Sequence, residues 1–256
     1  MADHLEQLVE NARGLAAGGY YDFVGPSSPG PSLSRALRSS ASFPIIAEVK
    51  LSSPSRGDIS SHSPRKLVRD YMGAGAAALS VLTEPNRFKG SLDSLLLASA
   101  ENAPVLMKDI IVSREQIRAG TTRGASAVLL IEGAFGGATG RKDRDELVAY
   151  AHEMGAEVVL EAGRAEEIIG IMSSEADVLG FNQRDLRTLA IDPGAGARNL
   201  PRLKKDGRPV VVMSGIGSRE QVVALKNSGA DAVLVGTSLS SSPDPGAKLR
   251  SMAVPR

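Results

Sequence analysis

A (β/α)8 TIM barrel with an N-terminal helical cap is the α/β fold class this sequence predicts, and three observations predict it. Short apolar runs recur eight times along the chain. They do not alternate with polar residues, which is how a strand buried on both faces of a parallel sheet reads. Amphipathic, charge-bearing stretches of helical period separate them, so strand and helix alternate throughout. The chain has 256 residues, close to the roughly 250 that one closed barrel needs. A doubly wound open sheet is the competitor, but it usually has fewer strands and no such eightfold spacing.

Taken in order, residues 1–17 read as a helix, 18–31 as a turn region rich in Gly, Pro and Ser, and 32–38 as a second short helix. Residues 1–43 are too few for an independent domain. They are expected to cap the barrel, leaving residues 1–256 as one domain, although the linker GPSSPGPS reads equally well as a flexible tether. Strands are expected at 44–49, 77–82, 104–107, 127–131, 157–160, 177–181, 209–213 and 231–235. Helices are expected at 64–72, 92–100, 114–123, 143–154, 165–172, weakly at 195–205, then at 218–227 and 245–252. Pro64 after Ser63 and Ser218 three residues before Gln221 are helix starts, the second with capping-box spacing. Gly75, Gly124, Gly155 and Gly229 stand where a helix must end before the next strand. The segment 133–140, GAFGGATG, lacks the Lys-Ser/Thr of a phosphate loop and reads as a flexible loop. The charged run 141–146 reads as a solvated helix start.

Composition narrows the function. With 42% hydrophobic and 23% charged residues, the chain is an ordinary globular protein rather than a disordered or collagen-like one. Thirty basic residues against 29 acidic leave a net charge of +1, so no nucleic acid or anionic membrane is expected as partner. Any anion recognition is local. The absence of cysteine excludes disulfides, thiolate metal sites and a cysteine nucleophile from this chain, and fits a reducing compartment. The first twenty residues lack the basic start and apolar core of a signal peptide, and no apolar run is long enough to span a bilayer. A cytoplasmic protein is the expectation.

Barrels carry their chemistry where the strands end. The first strand ends in Glu48 and Lys50, which alternation places on one face. The third ends in Lys108-Asp109, the fifth in Glu161 and the sixth in Asn182-Gln183-Arg184. One such ion pair is easily structural; two lysines and two glutamates converging on one rim are hard to explain by packing. Gly215-Ile216-Gly217 after the seventh strand and Gly236-Thr237 after the eighth offer backbone N–H groups to a phosphate. His4, His62 and His152 lie at no strand end, and no two have metal-ligand spacing. Acid–base catalysis by lysine and glutamate, without metal or cofactor, is therefore expected.

In their order and spacing, IIAEVKLSSPSRGDI (45–59), SVLTEPNRFKGS (80–91), PVLMKDIIVSREQI (104–117), VVLEA (158–162), LGFNQRDLRTL (179–189), SGI (214–216) and LVGTSL (234–239) resemble the indole-3-glycerol phosphate synthase family. The resemblance extends from about residue 32 to residue 252. It implies a carbon–carbon lyase acting on 1-(2-carboxyphenylamino)-1-deoxyribulose 5-phosphate, a small phosphorylated substrate of tryptophan biosynthesis. By resemblance Lys108 is the general acid and Lys50 sits near carboxylate and phosphate as an acid for dehydration. Glu48 and Glu161 handle the ring proton and orient the lysines. Asn182 holds the sugar hydroxyls, with Arg184 nearby. Ser214, Gly215, Gly236 and Thr237 cradle the phosphate. Pro54, Phe88, Leu130 and Leu234 wall the aromatic ring, Ser53 stands at its edge, and Leu186 completes the substrate side.

Three positions depart from the family pattern. Met213 stands where a rim glutamate is usual, Ile110 replaces an aromatic wall, and Gly163 replaces a polar or aromatic residue. Met213 and Ile110 motivate the alternative of a weakened paralogue or a non-catalytic barrel that binds a phosphorylated ligand. A phosphoribosylanthranilate isomerase on the same fold is disfavoured, because that family uses a cysteine base and this chain has none. The resemblance implies a monomer or weak homo-oligomer, open to contact with other enzymes of the pathway.

Overall fold

The structure is a computed structural model describing residues 3–256, so the first two residues of the expected N-terminal helix lie outside the described residues. The predicted barrel is the fold observed. Its strands are β1 (Ile45–Val49), β2 (Ala78–Leu82), β3 (Val105–Lys108) and β4 (Ala127–Ile131), then β5 (Glu157–Ala162), β6 (Val178–Asn182), β7 (Val210–Met213) and β8 (Ala232–Val235). Each pairs in parallel with its sequence neighbours, and β8 closes on β1 through Ile45↔Val233, Ile46↔Leu234 and Ala47↔Val235. Strand alternation divides the core into two clusters. Outward residues such as Val81, Val128 and Leu160 pack under the helices, while Ile46, Ala78, Leu106, Leu129 and Val211 fill the barrel.

Every expected strand forms within two residues of its predicted bounds. Unalternated apolar runs flanked by Pro, Gly or Asp leave the chain no other way to bury both faces. The capping box at Ser218 and Gln221 forms as expected. Three expectations need correction. The segment 133–140 is only partly a loop: Glu132–Ala134 is a 3₁₀ turn, and an α-helix runs over Gly137–Glu153. Gly140 lets that helix start lie against the Phe135 backbone, where a Cβ would meet the Phe135 carbonyl carbon at 2.8 Å. The run 141–146 is not simply solvated, because Arg144 is buried and its guanidinium pairs with buried Glu132 at 2.6 Å. Finally, 165–172 divides into a 3₁₀ turn, Ala165–Glu167, and a short helix, Ile168–Met172.

The N-terminal segment does more than cap one end. Helix His4–Ala17, capped by Asp3, buries Leu5, Leu8, Val9 and Ala12 over the C-terminal mouth. Its Asn11 donates to Glu84 at 2.8 Å, just beyond β2. The chain then descends the barrel wall. The linker is strapped down rather than tethered: the Ser28 N–H donates to the Thr121 carbonyl, and the Ser27 hydroxyl to that of Met154. Helix Leu33–Ser39 plugs the opposite mouth with Leu33 and Leu37, both fully buried. Ser32 and Ser34 fix it to Glu157 at the start of β5.

Candidate active site

A cavity of about 510 Å³ opens at the C-terminal ends of the strands. Pairing in register sets the inward-facing groups of adjacent strands side by side at this end of the barrel: Leu82 opposite Lys108, Ile131 opposite Glu161, Asn182 opposite Met213. The acid–base groups stand there as two pairs. Lys50 Nζ lies 3.5 Å from Glu48 Oε1, and Lys108 Nζ lies 3.6 Å from Glu161 Oε2. Lys50 also sits 5.9 Å from the centroid of the Phe88 ring, on whose face a cation is favoured. Burial holds the Lys50 ammonium below the usual lysine range. Glu48 pulls the other way, while Lys108 and Arg184 push it further down.

Glu161 is fully buried and does not itself line the cavity; it lies behind Lys108 and Asn182. Its Oε1 accepts from Asn182 Nδ2 at 2.8 Å, while Oε2 has no hydrogen-bond partner among the described residues. That oxygen is a buried acceptor 3.6 Å from the Lys108 ammonium, and leaving such an acceptor without a hydrogen bond is costly. Asn182 is held in turn by its Oδ1, which accepts the Arg184 backbone N–H at 2.9 Å. Arg184 donates to the Leu189 carbonyl at 2.9 Å, and burial and then the like charge of Arg56 hold its guanidinium below the usual value.

Of the expected ring and phosphate contacts, Ser53, Pro54, Phe88, Ile110, Leu186, Met213, Ser214, Gly215, Leu234, Gly236 and Thr237 all border the cavity. Leu130 does not. Alternation along β4 turns it outward into the helix layer, and Ile131 takes the place expected of it. Ser214 and Gly215 have φ of +70° and +73°, two consecutive left-handed residues that fold the turn after β7 tightly. At the end of β8 the chain presses on Glu48 so closely that a Cβ on Gly236 would lie 2.2 Å from Glu48 Oε1.

The cavity also recruits residues that strand-end reasoning passes over. Leu8 roofs it from the N-terminal helix, a contact between distant segments that no local pattern announces. Arg56 enters from the short hairpin Ser52–Ser53/Gly57–Asp58 after β1, and Gln221 and Lys248 enter from helices. Asp109, next to Lys108 in sequence, is a further such residue. It is buried and accepts from Tyr21, from Thr83 and from the Ile110 N–H, and burial pushes its carboxyl up to about 6.

Ammonium–carboxylate pairs at the C-terminal mouth of a closed parallel barrel are the arrangement expected of a barrel enzyme, and comparison with known proteins narrows the class. The sequence model of the family described as Indole-3-glycerol phosphate synthase matches residues 21–252. A protein of that name from Methanopyrus kandleri is 40% identical over 232 residues, 89% of each chain. Another, from Aquifex aeolicus, is 34% identical over 250 residues, 97% of this chain and 90% of the relative. Among solved structures, a mutant tryptophan synthase alpha-subunit from Pyrococcus furiosus superposes with a TM-score of 0.63 over 83% of this chain and 98% of that one; at 17% identity it shares the fold alone. The chain belongs to the indole-3-glycerol phosphate synthase family, carbon–carbon lyases of tryptophan biosynthesis.

Proposed function

We propose that this chain closes the indole ring of 1-(2-carboxyphenylamino)-1-deoxyribulose 5-phosphate, with the two ammonium–carboxylate pairs performing the proton transfers. The observation that carries this reading is the pairing itself: Lys50 with Glu48 and Lys108 with Glu161, facing one cavity. The ring carbon bearing the carboxylate attacks the substrate carbonyl, and Lys108 donates a proton to the oxygen as its charge develops. The carboxylate leaves as carbon dioxide and its bonding electrons restore the aromatic ring. The new hydroxyl then departs as water with a proton from Lys50, an acid strengthened by burial. The carbon between the one it leaves and the nitrogen loses a proton, whose bonding electrons form the indole double bond. Glu48 and Glu161 take up the protons released and orient the lysines. The bonds made and broken involve no net oxidation or reduction, so proton transfer by side chains suffices and the reading includes no cofactor or metal.

Pro54, Phe88, Ile110, Leu234 and Ile131 supply the apolar walls for the ring, with Ser53 at its edge and Leu186 beyond. Asn182 and Arg184 meet the sugar hydroxyls. Ser214, Gly215, Gly236, Thr237 and Lys50 receive the phosphate. Met213 adds no carboxylate at the rim, so each lysine works with the single glutamate within 4 Å of it. Residues 3–256 act as one domain, because Leu33 and Leu37 share the barrel's own core. A monomer or weak homo-oligomer, open to contact with other enzymes of the pathway, completes the proposal. A cytoplasmic site fits the lack of any described helix long and apolar enough to cross a membrane.

The test is turnover of the carboxyphenylamino substrate followed by indole fluorescence. Lys108→Met is expected to lower kcat by about 10²–10⁴. Wild-type turnover in that variant refutes the mechanism, and no turnover by the native chain refutes the reaction.

A further inference from the structure

We propose that Lys248, on the C-terminal helix, is a further phosphate-binding residue of this cavity. The inference rests on the proposed reaction for the identity of the substrate, but on geometry for the site. Helix Pro245–Met252 packs against both helices that follow the glycine turns, Arg219–Asn227 and Thr237–Ser240. Pro245, Leu249 and Met252 anchor its buried face, and Lys248, only partly exposed, borders the cavity beside Ser241 and Gln221.

The donors at the turns after β7 and β8 are neutral, and several are already engaged. The Gln221 carboxamide oxygen accepts the N–H groups of Gly217 and Ser218 at 2.7 and 3.1 Å. The Ser238 hydroxyl donates to the Ile216 carbonyl at 3.0 Å. A phosphate seated on Gly215, Gly236 and Thr237 thus finds backbone groups and a hydroxyl but no cation within the two turns themselves. Lys50, already assigned to the phosphate, lies 3.5 Å from Glu48 and so shares its charge with a carboxylate. Of the three lysines bordering the cavity, Lys248 alone has no carboxylate within 4 Å among the described residues. Glu220 on the adjacent exposed helix turn feels its charge without coming that close. An ammonium that borders the same cavity and is shared with no carboxylate can supply a second, undivided charge-assisted hydrogen bond to the phosphate.

Two measurements on Lys248→Met and Lys248→Arg, with native melting behaviour checked first, test the assignment. In steady-state turnover, KM in Lys248→Met rises about tenfold, as loss of one charge-assisted contact implies, while kcat stays within a factor of two. Lys248→Arg recovers most of the loss. Calorimetric titration with inorganic phosphate shows the same weakening and does not depend on turnover, so it separates failure of this assignment from failure of the proposed reaction. Phosphate affinity equal in the native chain and Lys248→Met, or no phosphate binding by the native chain, overturns it.

Discussion

At the scale of single residues, Asp109 couples the site to stability. Its carboxyl is buried beside Lys108 and accepts hydrogen bonds from Tyr21 of the N-terminal segment, from Thr83 after β2 and from its own loop. Desolvation outweighs those donors and raises the group from 3.8 to about 6. A carboxyl that holds its proton more tightly when folded stabilises the native state fully below pH 3.8, and that contribution is lost as pH climbs through 6. The loss is on the order of 3 kcal/mol. Asp109→Asn, which cannot ionise, is expected to remove this fall. Melting temperature from pH 4 to pH 7, compared between the two proteins, checks it; parallel curves count against it. Leu130 and Ile131 show where single-residue reading runs out. A run of five buried apolar residues does not reveal which face of β4 looks inward, whereas Glu48 and Lys50 declared their face by being charged.

At the scale of elements, strands were far more legible than helix starts. A strand buried on both faces must be apolar throughout, and that signal survives without any partner in view. Helix Gly137–Glu153 starts in glycines that sequence reasoning assigns to a loop, and it forms because tertiary contacts override that preference. Arg144 is the chief such contact. Its guanidinium reaches Glu132 at 2.6 Å, Asp145 and the Gly170 carbonyl, joining the end of β4 to the helices after β4 and β5. A Cβ on Gly170 would lie 1.9 Å from Glu132 Oε1, so the pair fills its space completely. Arg144→Met leaves Glu132 buried without its cation and is expected to cost about 3–5 kcal/mol in urea unfolding. Adding Glu132→Gln should recover a good part of that loss, because the stranded charge is gone. A double variant no more stable than the single one would mean that Arg144 acts through packing alone.

At the scale of the whole molecule, a net charge of +1 surrounds a mouth where positive charge gathers. Lys50, Arg56, Lys108, Arg184 and Lys248 border the cavity, against Glu48 and Asp109 on its surface and Glu161 behind. Near-neutral composition conceals this excess, because it arises only when β1, β3, β6 and the C-terminal helix close into one ring. Without long-range charge, attraction for a substrate bearing carboxylate and phosphate is confined to the mouth. The screening length shrinks from ~10 Å at 0.1 M salt to ~3 Å at 1 M, and shallow contacts at the cavity edge suffer first. KM is therefore expected to rise roughly three- to tenfold over that range while kcat changes little, because the buried pairs proposed to move protons are screened far less. Lys248→Met, already lacking the edge contact, should show a shallower rise. Steady-state kinetics at fixed pH across the salt series decide it: a KM indifferent to salt would mean that the mouth recognises its substrate by shape and neutral hydrogen bonds rather than by charge.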